Sequence, residues 1–234
     1  MIELLAIPVI NRPDLLARCI SSIDEPVKKL LVIDNSEDGI ADYVERSVPP
    51  CVDDWFVCVP AANLGFGGSV NHAICSEPGA AWWCIANADV EFGKGDLARL
   101  AAEMAQGGPR WVGINDWRVF GLSREAVERV GLWDGNLFPA YDDDCDYERR
   151  CDLAGVPHHF ITGGTTHEGS ASIKSDARYA FLNATRTHPS NRAYYVAKWG
   201  GPPRGGERFT TPFDRGGSVA DWTLDIRRLR DNAW

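Results

Sequence analysis

Residues 142–146 hold four carboxylates within five positions, which is the most unusual chemical pattern in the chain. Carboxylates this close repel one another, so they lie in solvent or face a cation or a ligand. A helical pattern follows over residues 147–154, and a carboxylate at a helix N-terminus is held by the helix dipole while one oxygen stays free. This arrangement suits a general base acting on a hydroxyl group, and an acidic first helical turn is the alternative, above all for Asp142.

A second group of residues has the chemistry of a metal site. Asn87-Ala88-Asp89 follows an apolar run at residues 82–86, and hard cations such as Mg²⁺ take oxygen ligands while leaving positions open for diphosphate oxygens. His167 lies between glycines in a segment that predicts an exposed, tightly positioned loop, which favours a ligand role. The alternatives are a turn cap for Asn87-Ala88-Asp89 and a structural role for His167.

Residues 63–71, with the sequence Asn-Leu-Gly-Phe-Gly-Gly-Ser-Val-Asn, form a glycine-rich turn into a predicted helix. Free amides at a helix N-terminus suit phosphate or ribose, and a tight turn that needs positive φ explains the same glycines. The glycine fingerprint of dinucleotide-binding proteins follows the first strand, whereas this turn follows the third, which argues against a dehydrogenase.

The elements that must position these residues are short apolar runs that alternate with helical patterns. Strands are predicted at residues 4–9, 30–33, 55–59, 82–86, 111–114, 117–122 and 158–161. This alternation predicts an α/β fold with a mostly parallel sheet flanked by helices, in which ligands bind at the carboxyl ends of the strands. Those ends carry Asn11, Asp34, Asn63 and Asp89. For Asp34 alone, a turn cap is the common role, and a hydrogen bond to a nucleobase or ribose is the functional one.

Composition excludes several classes of partner. The chain has 234 residues, 44% of them hydrophobic, and a net charge of −9, which favours one large folded domain and argues against nucleic acid as a partner. No apolar run approaches the roughly 18 residues of a membrane span, and the N-terminus lacks the basic region of a secretory signal. Seven cysteines without a C-x-x-C pair predict free thiols and a cytoplasmic location.

Taken in order, these segments resemble glycosyltransferase family 2, which has the GT-A fold, and most closely its rhamnosyltransferase-like branch. The resemblance covers about residues 2–172. Its segments are residues 6–12, 31–39, 63–71, 87–89 and 138–146, followed by His167 with Gly169 and Ser170. It implies a Rossmann-like GT-A catalytic domain at residues 1–172. After about residue 170 the alternation ends, so we expect residues 173–234 to form an irregular C-terminal arm that packs on or covers the site.

The resemblance also implies an activity and a set of site residues. The activity is inverting transfer of a sugar from a nucleotide diphosphate sugar, UDP- or TDP-linked, to a hydroxyl of a glycan, lipid-linked or protein acceptor. Asp144 would be the general base, and Asp89 and His167 would bind Mg²⁺ or Mn²⁺. The donor would be bound by Pro8, Val9, Asn11, Asp34, Asn63, Gly65, Gly68, Asn71, Asn87 and Asp89.

The sequence departs from the family pattern at two places. Asn87 replaces the first aspartate of the metal motif, so a non-catalytic module that binds a nucleotide sugar or a glycan is the alternative to a transferase. Lys198-Trp199 is the only part of residues 195–199 that matches a Q-x-x-R-W motif, and it either contacts the acceptor or diphosphate or packs. A nucleotidyltransferase would need a glycine-rich loop after the first strand, which Asn11-Arg12-Pro13 lacks. The oligomeric state, including a homodimer, is left open.

Overall fold

The computed structural model describes residues 1–36 and 39–220, and its centre is a seven-stranded sheet in the order β3-β2-β1-β4-β7-β6-β8. The strands are β1 (Leu5–Val9), β2 (Val27–Asp34), β3 (Val52–Cys58), β4 (Trp82–Ala86), β6 (Trp111–Ile114), β7 (Asp116–Ser123) and β8 (His158–Ile161). Strands β1 to β4 are mutually parallel, β7 runs antiparallel to β4 and β6, and β8 is parallel to β6. The predicted mostly parallel α/β fold is confirmed.

Helices cover both faces of this sheet. They are α1 (Pro13–Ser21), α2 (Ala41–Ser47), α3 (Gly65–Ser76), α4 (Asp96–Met104), α5 (Arg124–Val130), α6 (Asp143–Ala154), α7 (Ala171–Lys174), α8 (Ala177–Leu182) and α9 (His188–Trp199). A π-helical turn, Asn183–Thr187, joins α8 to α9, and a 3₁₀ turn covers Pro212–Asp214. Two short strands, β5 (Val90–Glu91) and β9 (Thr166–His167), form a separate antiparallel pair.

Alternation along the central strands builds two apolar layers. In β4, Cys84 points into the layer under α1, α2 and α4, whereas Trp83 and Ile85 point into the layer under α3, α5 and α6. Because successive strand residues face opposite sides, a continuous apolar run is what a strand covered on both faces requires. This packing makes the carboxyl edge of β1, β2 and β4 a rigid base for the site.

The C-terminal segment differs in detail from the irregular arm that the sequence predicts. Residues 171–199 contain α7, α8 and α9, and irregular structure dominates only from residue 200. Their apolar pattern is weak because α8 buries no residue and α9 buries Asn191 and Lys198 together with Tyr195 and Trp199. Residues 221–234 of the predicted arm, and residues 37–38 of the matching segment after β2, lie outside the described residues. The division at residue 172 stays a prediction.

All seven cysteines are free, as predicted. Within residues 1–36 and 39–220, no helix combines the length and the apolar character that crossing a bilayer requires.

Candidate active site

The carboxyl ends of β1, β2 and β4 open into a cavity of about 540 Å³. The loop before α6 and the segment from α7 to residue 204 complete its walls. Of the predicted site residues, those that line it are Pro8, Val9, Asn63, Gly65, Asn87, Asp89 and Asp144. The structure thus brings the proposed metal motif and the proposed base to one cavity. Of the four strand-end residues named from the sequence, Asn63 and Asp89 line it.

Asp34 closes β2 and is fully buried. Its Oδ1 accepts hydrogen bonds from the backbone N and the Oγ of Ser36 at 3.0 and 2.8 Å, which is the turn-capping role. Its Oδ2 is buried without a hydrogen-bond partner among the described residues, and the same holds for Nδ2 of Asn11. Neither residue lines the cavity directly, so their contact with a nucleobase stays a prediction supported by these two unpaired polar atoms.

The glycine-rich segment joins the two sides of the cavity. Gly65 has a φ of +68°, and a Cβ there would lie 2.7 Å from the Pro139 carbonyl oxygen. This close approach lets the backbone N of Phe66 donate to the same oxygen at 2.7 Å. Gly65 therefore fixes the loop that leads into α6 against the start of α3, in addition to any contact with a ligand.

Asn71 and Gly68 lie away from the cavity surface. Asn71 uses both ends of its amide on the backbone of Trp133, donating to the carbonyl oxygen at 2.9 Å and accepting from the N–H at 2.8 Å. These bonds tie α3 to the chain before α6, and a contact between Asn71 and the donor stays a prediction.

Asp89 and His167 meet because β5 pairs with β9, which places Val90 opposite His167. The Nε2 of His167 lies 2.9 Å from Oδ1 of Asp89 and has no other polar partner among the described residues. Oδ2 of Asp89 accepts from the backbone N of Ala171 at 3.0 Å. Burial raises the pKa of Asp89, but His167 and the Ala171 amide together lower it by more than burial raises it. The net pKa therefore lies below its ordinary value.

These two side chains fit a divalent cation as a pair of ligands. A buried imidazole nitrogen lies 2.9 Å from a carboxylate oxygen, and Asn87 lines the cavity beside Asp89. A cation can bind to Nε2 of His167 only when the ring proton is on Nδ1. Here Nδ1 accepts a hydrogen bond from the backbone N of Gly169 at 3.1 Å, so that hydrogen bond would have to break. Among the described residues, no group of three or more His, Cys, Asp or Glu side chains forms a complete metal site.

The acidic segment begins α6 four residues earlier than its apolar pattern predicts, so Asp143 and Asp144 occupy the first helical turn. Asp144 is half-buried, and it lines the cavity. Asp143 is buried, and its Oδ2 is unpartnered among the described residues. Burial, and then the neighbouring Asp144 carboxylate, raise the pKa of Asp143 to about 8.

Lys198 and Trp199 do not line the cavity. Lys198 is buried and lies 2.7 Å from Oδ2 of Asp134 and 2.6 Å from Oδ1 of Asp146, and the indole of Trp199 donates to the same Asp146 oxygen at 2.8 Å. Burial raises the pKa of Asp134, but the Lys198 charge acts together with hydrogen bonds from Lys198, Asn136 and Tyr194 and lowers that pKa to about 2. The sequence leaves two roles open for Lys198-Trp199, contact with the acceptor or diphosphate and packing. In the structure both side chains pack against α6.

Several cavity residues were missed by sequence reasoning. Asn35 accepts from the backbone N of Leu64 and donates to Ser69, which joins β2 to α3 beneath the cavity. Other cavity residues that were missed include Asp116, Trp117, Arg118, Tyr179 and Arg204. Asn35 follows a strand end and was open to prediction, whereas the rest come from elements whose place at this edge depends on the tertiary fold.

Comparison with known proteins supports the same fold. The chain aligns with the structure of S. aureus TarS at a TM-score of 0.57 and 13% identity, over 84% of this chain and 42% of that one. It aligns with TarS 1–349 in complex with UDP-GlcNAc at 0.51 and 14%, over 84% and 71%, and with a mycobacterial protein at 0.54 and 13%, over 81% and 74%. No curated protein sequence matches the chain.

The chain spans less than half of full-length TarS, and identities this low establish the fold alone. The family assignment comes from the sequence profile of Glycosyl transferase family 2, which matches residues 5–136 and so covers more than half of the chain. That range includes β1, the end of β2, the glycine-rich segment and Asp89. With these residues placed around one cavity at the carboxyl edge of the sheet, the chain belongs to glycosyl transferase family 2.

Proposed function

We propose that this protein is an inverting, metal-dependent glycosyltransferase that moves a sugar from a UDP- or TDP-linked donor to an acceptor hydroxyl. The observation that carries the proposal is that Asp89, between β4 and β5, and Asp144, in the first turn of α6, line the same cavity. Its volume suits a nucleotide sugar, and the UDP-GlcNAc complex of the TarS fragment with the same fold supports this donor class.

The donor half of the site would be the strand ends. Pro8 and Val9 of β1 present apolar surface and backbone groups to the base, with Asp34 and Asn11 beneath them offering unpaired polar atoms. Asp89 and His167 would hold Mg²⁺ or Mn²⁺, which supplies charge neutralisation for the departing diphosphate.

The acceptor half would be the first turn of α6. Asp144 takes the proton from the acceptor hydroxyl while that oxygen forms a bond to the anomeric carbon from the face opposite the diphosphate. The bond from the anomeric carbon to the phosphate oxygen breaks, and its electron pair leaves with the diphosphate. Positioned base catalysis of this kind contributes about 10²–10⁴-fold to a rate.

The first test is a thermal-shift series with UDP, TDP, GDP and their sugars in the presence of Mn²⁺, because a ligand that binds only the folded state raises its melting temperature. We expect one uracil or thymine nucleotide sugar to give the largest shift. A second assay measures release of free nucleotide diphosphate with glycan, lipid-linked and protein acceptors. If the protein binds a nucleotide sugar but no acceptor releases the nucleotide diphosphate, the alternative is favoured, a non-catalytic module in which Asn87 replaces the metal-motif aspartate.

A further inference from the structure

Helix α9 contacts the turn at residues 140–142, which comes just before the proposed base in α6. Asn191 is buried and donates from Nδ2 to the carbonyl oxygens of Ala140 at 2.9 Å and Tyr141 at 3.2 Å. The next residue, Arg192, donates from Nε and Nη2 to the two carboxylate oxygens of Asp142 at 2.8 and 2.6 Å. Two consecutive residues of α9 thus hold the three residues that immediately precede Asp143 and Asp144.

The turn held in this way has an unfavourable backbone. Tyr141 has a φ of 79° and Asp142 a φ of 63°, so two successive residues with side chains adopt the left-handed region. Such residues persist only where their surroundings stabilise them, and they concentrate at functional sites. If the turn relaxed, the direction of the first turn of α6 would change, and with it the orientation of the Asp144 carboxylate.

Two groups of α9 contacts reach α6 and the turn before it. Near its C-terminus, Lys198 and Trp199 hold the body of α6 through the buried Asp146. Near its N-terminus, Asn191 and Arg192 hold the turn, and the Arg192 side chain is 45% exposed. Because the two groups consist of different residues, the contacts with the turn can be changed while Lys198 and Trp199 stay in place.

We propose that Asn191 and Arg192 are positioning residues for the transfer step, which fix the turn at residues 140–142 so that Asp144 faces the acceptor hydroxyl. The inference rests on the proposed function. Neither side chain lines the cavity, so both act through the turn and not on a substrate. A bidentate guanidinium–carboxylate pair fixes an orientation as well as a distance, which is what this role requires.

The test compares kcat, KM for the donor and nucleotide-induced thermal shift among Arg192→Gln, Arg192→Lys, Asn191→Ala and the wild type. We expect Arg192→Gln and Asn191→Ala to lower kcat by about 10- to 100-fold, since small misplacement of a reacting group costs rates of this order. The nucleotide shift should stay unchanged, and Arg192→Lys should recover part of the rate. Arg208→Gln is the matched control, because Arg208 donates to the Gly200 carbonyl oxygen at the far end of α9.

A second comparison separates positioning from a general structural effect. In an Asp144→Asn background, Arg192→Gln should cause no further loss of rate, because the group that it orients is already gone. An equal loss in both backgrounds, a wild-type kcat for Arg192→Gln, or a fall in nucleotide binding would overturn the inference. Absence of transfer by the wild type with every donor and acceptor would instead count against the proposed function itself.

Discussion

Asp143 and Asp144 are adjacent in the first turn of α6 and line the same cavity, but their carboxyl groups lie in different environments. Asp143 is buried with one oxygen unpartnered among the described residues, and its pKa is raised to about 8, so it is mostly protonated near neutral pH. Asp144 is half-buried and open to the cavity. A neutral acid beside the proposed base can donate a hydrogen bond where an ionised one would repel.

The raised pKa of Asp143 predicts how stability depends on pH. A carboxyl group with a higher pKa in the folded than in the unfolded chain favours folding while protonated. This contribution is fully present below about pH 4, the pKa of an unfolded aspartate, and is lost as the pH rises through about 8. We expect the melting temperature of the wild type to fall between pH 5 and pH 9 more steeply than that of Asp143→Asn. Asp53→Asn, at an exposed position, is the control, and equal slopes for all three proteins would contradict the prediction.

Replacement of the proposed base should affect transfer but not donor binding. Asp144→Asn keeps the shape of the side chain but cannot accept the proton, so kcat should fall by about 10²–10⁴-fold. The thermal shift with nucleotide should remain that of the wild type. Asp152→Asn, at an exposed carboxylate in the last turn of the same helix, should keep full activity. Normal turnover by Asp144→Asn would remove Asp144 from the mechanism.

The pair formed by Asp89 and His167 predicts metal-dependent donor binding. We expect Asp89→Ala and His167→Ala each to weaken donor affinity at least about tenfold when calorimetric titrations contain Mn²⁺, and to change it little when they contain a chelator. The comparison with and without Mn²⁺ is the internal control, because a general folding defect would weaken binding in both. Unchanged titrations of both variants in Mn²⁺ would show that the pair holds no cation.

Lys198 predicts a large effect on stability. Lys198→Met would leave the buried Asp134 and Asp146 without the cation that they share, and removal of one partner from a buried ion pair costs about 3–5 kcal/mol. The free energy of unfolding in urea should fall by that amount. Lys28→Met, at an exposed position, should change it by less than about 0.5 kcal/mol. A similar loss for both variants would show that the buried network contributes little.

The sheet could be predicted from sequence because its strands are continuous apolar runs. Strands β4, β6 and β8 occupy the predicted residues. The arrival of Asp89 at the cavity follows from the same pattern, because parallel strands place their carboxyl ends at one edge. Asp144 instead reaches the cavity from the first turn of α6.

The partners of the acidic segment could not be predicted in this way. Asp142 and Arg192 are 50 residues apart, and Lys198 lies 64 residues from Asp134. Single-sequence periodicity reports which face of a helix is buried, but α9 buries polar side chains that bind carboxylates, so its pattern resembles a loop. Asn71 shows the same limit, because its binding to the Trp133 backbone depends on how α3 meets the chain before α6.

The distance in sequence between Asp146 and Lys198 also has a consequence for the order in which the protein folds during synthesis. The acidic turn leaves the ribosome about 50 residues before two of its partners on α9, since Arg192 lies 50 positions downstream of Asp142 and Trp199 lies 53 positions downstream of Asp146. Until α9 has emerged, the repulsion within residues 142–146 opposes burial of this segment. The sheet can therefore assemble first, and the first turn of α6 reaches its final geometry only when α9 docks.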